Sequence, residues 1–213
     1  MYKAAVYGSP VLRPLAFEFP SDVRSFSINN QFMWGDKLMV SIGTGLEGLS
    51  SIYFPRAEWY EFYRGFFTQG TGEFASASSR RNETNLHLRE GSVIFTQDCL
   101  HTAMESSYTY IDVIIALNVS DNFTARGELY IDDSSKKNAQ VKDNYHRLIN
   151  FKVYREENDG IIEVRRLSGR YITRLSYRDI KIYGLRSKPS RITVNENSQS
   201  IDSSKCVWDE QNQ

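Results

Sequence analysis

Paired carboxylates come first, because two at short range can divide the acid, base and nucleophile roles of a hydrolysis. The chain offers Asp36 within Trp34-Gly35-Asp36, the adjacent Asp132-Asp133 and the adjacent Glu156-Glu157. Each has a plainer structural reading. Asp36 follows a glycine and reads as a turn residue, and Asp132-Asp133 reads as the turn closing a strand. Glu156-Glu157 reads as the charged management of an exposed strand edge. The histidines (His87, His101 and His146) and the cysteines (Cys99 and Cys206) are widely spaced, with no HExxH or CxxC pattern. No metal site and no cofactor are therefore expected. The cysteines read as two independent thiols, with a Cys99–Cys206 pairing as the other option. Trp59, Tyr60, Phe62 and Tyr63 form an aromatic run on which a sugar ring could stack, but alternation along a strand turns about half of such a run into core. Asn82-Glu83-Thr84, Asn118-Val119-Ser120 and Asn122-Phe123-Thr124 are N-glycosylation sequons.

The elements that must position these residues read as strands. Ile149, Phe151 and Val153 alternate with Asn150, Lys152 and Tyr154, a period of two. Tyr110 to Leu117 is nearly continuous and rich in β-branched residues, as in a strand buried on both faces. Gly127 to Asp133 reads as a further strand. Asn158-Asp159-Gly160 predicts a hairpin turn with Asp-Gly at positive φ. Ser168-Gly169 and Ser187-Lys188-Pro189 mark further turns, and Ala75 to Arg81 reads as a surface loop. No amphipathic helix longer than about three turns is evident. Strands at this spacing predict an all-β chain of sandwich type.

The 213 residues carry 40% hydrophobic, 13% aromatic and 24% charged residues, a folded composition. With 26 basic and 26 acidic residues the formal net charge is zero. That balance removes the electrostatic case for nucleic acid or an anionic membrane. No run approaches the ~18 apolar residues of a membrane span. Met1 to Ser9 lacks the apolar stretch of a secretory signal.

Five ordered segments resemble glycoside hydrolase family 31. Pro10 to Pro20 (PVLRPLAFEFP) is similar to the last strand of the family's catalytic barrel, and Gln31 to Ser41 (QFMWGDKLMVS) to the segment after it. Tyr53 to Gly65 resembles the family's YFP…WY…Y.G stretch, and Asn85 to Gly91 its His-x-Arg-Gly-Gly segment. Ala116 to Ser120, followed by Gly127 to Asp133, resembles the start of its distal domain. The resemblance covers residues ~8 to ~135. The similarity is greatest to eukaryotic α-glucosidases of the lysosomal and intestinal maltase type.

That resemblance implies two successive antiparallel β-sandwich-like domains, preceded by a remnant strand of a (β/α)8 barrel. The implied division is 1–27 for the barrel remnant and connector, 28–107 for the proximal sandwich, 108–200 for the distal sandwich and 201–213 for a polar tail. It implies a retaining α-glucosidase acting on terminal α-linked glucose. The family's catalytic stretch, Trp-x-Asp-Met-Asn-Glu, is absent from this sequence. No catalytic, substrate-binding or metal-binding residue is therefore assigned, and oligosaccharide would be met only through a barrel outside this chain. Asp36 and Asp132-Asp133 fall at family positions that are not catalytic. His87 would be a structural hydrogen-bonding group, and Glu18 structural. Together with Asn82, Asn118 and Asn122 as glycan acceptors, the resemblance implies the secretory pathway, lysosomal or extracellular. Departures from the family pattern fall at junctions: Ile42 to Gly48 lacks its prolines, Glu90 replaces a glycine, Phe95-Thr96 replaces an apolar-proline pair, and Ser134 replaces a glycine. If the glycine replaced by Glu90 had positive φ, Glu90 would be strained. A different class of function, a stand-alone carbohydrate-binding or interaction module, would use surface aromatics at Trp59 and Tyr63.

Overall fold

The computed structural model describes residues 2–42, 49–78, 83–100, 109–132, 145–172, 175–194, 199–200 and 206–208. The chain opens with helix α1 (Tyr2–Tyr7), strand β1 (Leu12–Pro14), helix α2 (Leu15–Glu18) and a 3-10 turn at Val23–Ser27. Then come β2 (Gln31–Trp34), β3 (Leu38–Ser41), β4 (Leu49–Phe54), β5 (Glu58–Glu61), β6 (Phe67–Gln69), β7 (Glu73–Ser78), β8 (Asn85–Arg89) and β9 (Ser92–Gln97). The remainder supplies β10 (Ile111–Ala116), β11 (Ala125–Asp132), β12 (His146–Glu156), β13 (Asp159–Ser168), β14 (Tyr177–Tyr183), β15 (Thr193–Val194) and β16 (Gln199–Ser200).

The first sheet has the order β1-β2-β3-β8-β5-β6 and is antiparallel throughout. A two-stranded antiparallel ribbon, β4-β7, covers one of its faces. Period-two alternation divides the side chains of the sheet. Met33, Met39 and Trp59 point into a core shared with Ile52 and Phe54 of the ribbon and with Leu15 and Phe19. Buried Gln31 fastens ribbon to sheet in the manner of a backbone amide: its Oε1 accepts from Tyr53 N at 2.8 Å and its Nε2 donates to Tyr53 O at 2.9 Å.

The second sheet has the order β13-β12-β11-β9-β10-β14. Pairing is antiparallel except at β11/β9 and β10/β14, which are parallel. Its core gathers Val93, Val113, Ile115, Leu117, Ile149, Phe151 and Val153. β10 is buried on both faces, as its continuous apolar run predicts. Its other face, Ile114 and Ala116, packs on Tyr60 and Leu88 of the first sheet. This third cluster joins the sheets, and β9, just after β8 in sequence, already belongs to the second one.

Three expectations are corrected. The strand expected over Pro10–Pro20 is confined to Leu12–Pro14 at the edge of the first sheet. Beyond Pro14 the chain coils into α2 and buries Leu15 and Phe19, while Leu12 and Phe17 stay exposed. The loop read over Ala75–Arg81 is in its described part strand β7, paired residue for residue with β4. The hairpin turn falls at Glu157-Asn158, with Glu157 at φ 51°, and Asp159-Gly160 already belong to β13. Register with β12 overrides the local Asp-Gly preference.

Candidate functional site

The residues singled out by chemistry do not converge. Asp36 sits exposed at the tip of the β2–β3 hairpin, beside Gly35 at φ 67°. Asp132 ends β11, where it accepts from Tyr130 Oη at 2.8 Å. Glu156 lies at the opposite end of the β11–β12 pairing, next to exposed Glu157. Asp133, His101 and Asn82 lie outside the described residues. Cys99 and Cys206 are both free thiols. His146 Nε2 meets Ser168 Oγ at 3.1 Å, and its ring stacks on Tyr130. Among the described residues no group of three or more His, Cys, Asp or Glu could hold a metal ion, and no helix is long and apolar enough to cross a membrane.

Trp59 is fully buried and donates through Nε1 to Pro55 O at 2.9 Å. It is core, so the module reading loses its leading aromatic. Tyr60 is also core and reaches across the sheet junction to Leu117 O at 3.0 Å. Glu18 is structural, lying between Arg13 at 2.5 Å and Arg89 at 3.5 Å. His87 departs from expectation. It is 3% exposed, yet its Nδ1 has no hydrogen-bond partner, and its ring stands edge-on to Phe54 at 4.9 Å. Burial holds its pKa down at about 4. The feared strain at Glu90 does not arise, because the positive φ of 67° falls on Gly91.

Sequence reasoning passed over Glu58 and Lys37, which reach across the junction between the sheets, and saw in Glu90 only a replaced glycine. Glu58, on β5, accepts from Ser120 Oγ at 2.6 Å and Val119 N at 3.2 Å. The Glu90 carboxyl lies against Glu58, and burial raises its pKa above the usual carboxylate value, with the neighbouring charge adding to the rise. Lys37, at the β2–β3 turn, donates to Val93 O at 3.2 Å and to Arg126 O in the second sheet. Burial lowers its pKa to about 8. The signal for Glu58 was available: a lone carboxylate inside the apolar run Ala57-Glu58-Trp59-Tyr60 needs a partner once buried.

A cleft of about 1160 Å³ opens where the N-terminal segment meets both sheets, with Arg13, Trp34, Lys37, Glu90, Asn118 and Arg126 among its walls. Its ionic groups are largely committed to the packing just described. Such a site can hold elements together: Glu18 pairs with Arg13 and Arg89, and Glu128 with Lys3. Glu58, the partner of Glu90, is itself closed over by Val119 and Ser120.

This fold recurs inside larger solved proteins. A dextranase of glycoside hydrolase family 31 from Flavobacterium johnsoniae superposes with a TM-score of 0.76 over 89% of this chain and 23% of its own, at 21% identity. The catalytic subunit of a glucosidase II heterodimer superposes with a TM-score of 0.67 over 84% of this chain. Residues 8–94 match the model of the glycosyl hydrolase family 31 C-terminal domain. Intestinal sucrase-isomaltase of Rattus norvegicus is 33% identical over 202 residues, 94% of this chain and 11% of that protein. Lysosomal alpha-glucosidase of Bos taurus is 25% identical over 91% of this chain and 22% of its own length. The chain belongs to glycoside hydrolase family 31 and carries its C-terminal domain. It spans a small part of the length of these relatives.

Proposed function

We propose that this chain is the C-terminal structural portion of an α-glucosidase-like retaining hydrolase, acting on oligosaccharides with terminal α-linked glucose. The observation that carries the reading is the family match over residues 8–94, continued by similarity to α-glucosidases along nearly the whole chain. In this reading residues 1–27 connect to a catalytic barrel, 28–107 and 108–200 are the proximal and distal sandwiches, and 201–213 form a tail. The chemistry belongs to the barrel, and the sandwiches brace it. The Arg13–Glu18–Arg89 contacts and the Glu58–Ser120 bond support that role, since they anchor the N-terminal connector and couple the sheets. By itself the chain is inert. Purified 213-residue chain should release no nitrophenol from a nitrophenyl α-glucoside; turnover that survives repurification would overturn the reading.

The same reading places the chain in the secretory pathway, lysosomal or extracellular, with Asn82, Asn118 and Asn122 as glycan acceptors. Asn122 is exposed, whereas Asn118 is half-buried with its Oδ1 accepting from Asp121 N at 2.8 Å. Asn122 should therefore be the more heavily occupied of the two. Chain secreted from a glycosylating host should lose mass on endoglycosidase treatment, and Asn122→Gln should remove more of that loss than Asn118→Gln.

A further inference from the structure

The second sheet ends on one side in β13, and no strand among the described residues pairs with the outer side of β13. This edge is long. β13 runs ten residues, from Asp159 to Ser168, against about 5–6 in a typical strand. Every residue from Glu163 to Leu167 is exposed, including the apolar Val164 at 49% and Leu167 at 51%. Backbone N–H and C=O groups of alternate residues face the open side, a template for another strand. Register with β12 sorts the side chains. Ile162 and Val164 lie opposite Val153 and Phe151 on the core face, and Glu163 and Arg165 lie opposite Lys152 and Asn150 on the other face. The usual devices that blunt an edge are weak here. No proline interrupts the strand, and the charges are of both signs within three residues, Glu163 and Arg165.

We propose that β13 is a self-association edge, on which a second copy of this chain pairs its own β13 antiparallel about Val164, so that one sheet runs through both copies. Charge complementarity selects both the partner and the register. With Val164 opposite Val164, each Glu163 stands opposite Arg165 of the other copy, giving two facing pairs of opposite sign. Ile162 then faces the stem of Arg166, and Ile161 faces Leu167. A centre one residue earlier sets Glu163 against Glu163, and one residue later Arg165 against Arg165; like charges directly opposite are destabilising. A centre between residues sets core-face side chains against outward ones. A centre at Ile162 ends the overlap at Arg165 and leaves Leu167 uncovered. Pairing about a two-fold axis uses the same edge of each copy, so association closes at a dimer. This goes beyond the bracing role proposed for the chain, and it stands or falls independently of any hydrolysis by an accompanying barrel.

The test is sedimentation equilibrium of the 213-residue chain from about 1 µM to about 1 mM. The expected result is a monomer–dimer equilibrium with a Kd of about 10–100 µM, as suits an interface built on one strand pair. Glu163→Arg and Arg165→Glu change exposed side chains, and each sets like charges opposite one another in the dimer. Each should weaken self-association at least about tenfold. Mixing these two variants should restore association as a heterodimer, because every facing pair is then opposite in sign. The double variant carrying Glu163→Arg and Arg165→Glu should dimerise like the parent. Hydrogen exchange along Gly160 to Ser168 should slow as the parent associates. A parent that stays monomeric throughout, species larger than a dimer, a dimer indifferent to both single reversals, or mixed variants that fail to associate would each overturn the proposal.

Discussion

At the scale of single residues, burial decides what the titratable groups do. His87 is the sharpest case. Its pKa is lowered to about 4 from an ordinary 6.5 because burial penalises the charged ring. Between those values the unfolded chain binds a proton that the folded chain refuses. Stability from this group is therefore whole above pH 6.5 and is lost as pH falls toward 4. The full loss is about 3 kcal/mol. Denaturant unfolding of the parent and of His87→Phe from neutral pH to pH 4 should show the slope in the parent and its disappearance in the variant. An equal slope in both would place the proton elsewhere. Glu90 has the opposite sign, since its raised pKa gives stability below the ordinary carboxylate value that is lost as pH rises.

At the scale of elements, the junction depends on close approach. Gly184 follows β14 at φ 89°, and a Cβ there would stand 2.5 Å from Tyr60 Oη. Gly65 faces the reciprocal problem, with a Cβ 2.4 Å from the Tyr183 ring. Tyr60 and Tyr183 stack at 6.2 Å, and each donates across the junction, to Leu117 O and Phe62 O, both at 3.0 Å. These hydroxyls cannot retreat without giving up buried bonds. Gly184→Ala should thus cost about 2–4 kcal/mol, from left-handed strain together with displacement of Tyr60. Thermal denaturation would measure it. A shift under a degree or two would mean that β14 moves away freely.

At the scale of the whole molecule, the question is whether two sheets make two cooperative units. The cluster of Tyr60, Leu88, Ile114 and Ala116 is shared by both. Lys37 and Glu58 add polar bonds from the first sheet to the second sheet and to the loop after β10. Burying one interface from two sides should make the chain unfold in a single calorimetric transition. Ile114→Asn places an amide in that interface and should split the transition in two, as the sheets part before either melts. Two transitions in the parent would show the sandwiches to be independent, with the junction contributing little.

Much of this was legible in the order of residues. The β10 run from Ile111 to Ala116 and the alternation at Ile149, Phe151 and Val153 announced their own burial, because a strand exposes its two faces in strict turn. The family was legible in five ordered segments, and Asp36 falls at the turn that its neighbour Gly35 announced. Local pattern cannot say what lies across a gap in sequence. Glu58 and Ser120, Lys37 and Arg126, Tyr60 and Leu117 are each separated by more than fifty residues and meet only when two sheets dock. The same holds for His87, whose type and neighbours promised a hydrogen bond that packing against Phe54 withheld at Nδ1. The ribbon over Glu73–Ser78 was missed because small residues look like a loop until a partner strand is placed beside them. Sequence by itself thus determined the strand pattern and the family; tertiary structure alone decided the junction and the cleft, since burial and pairing between distant segments are properties of the packed chain.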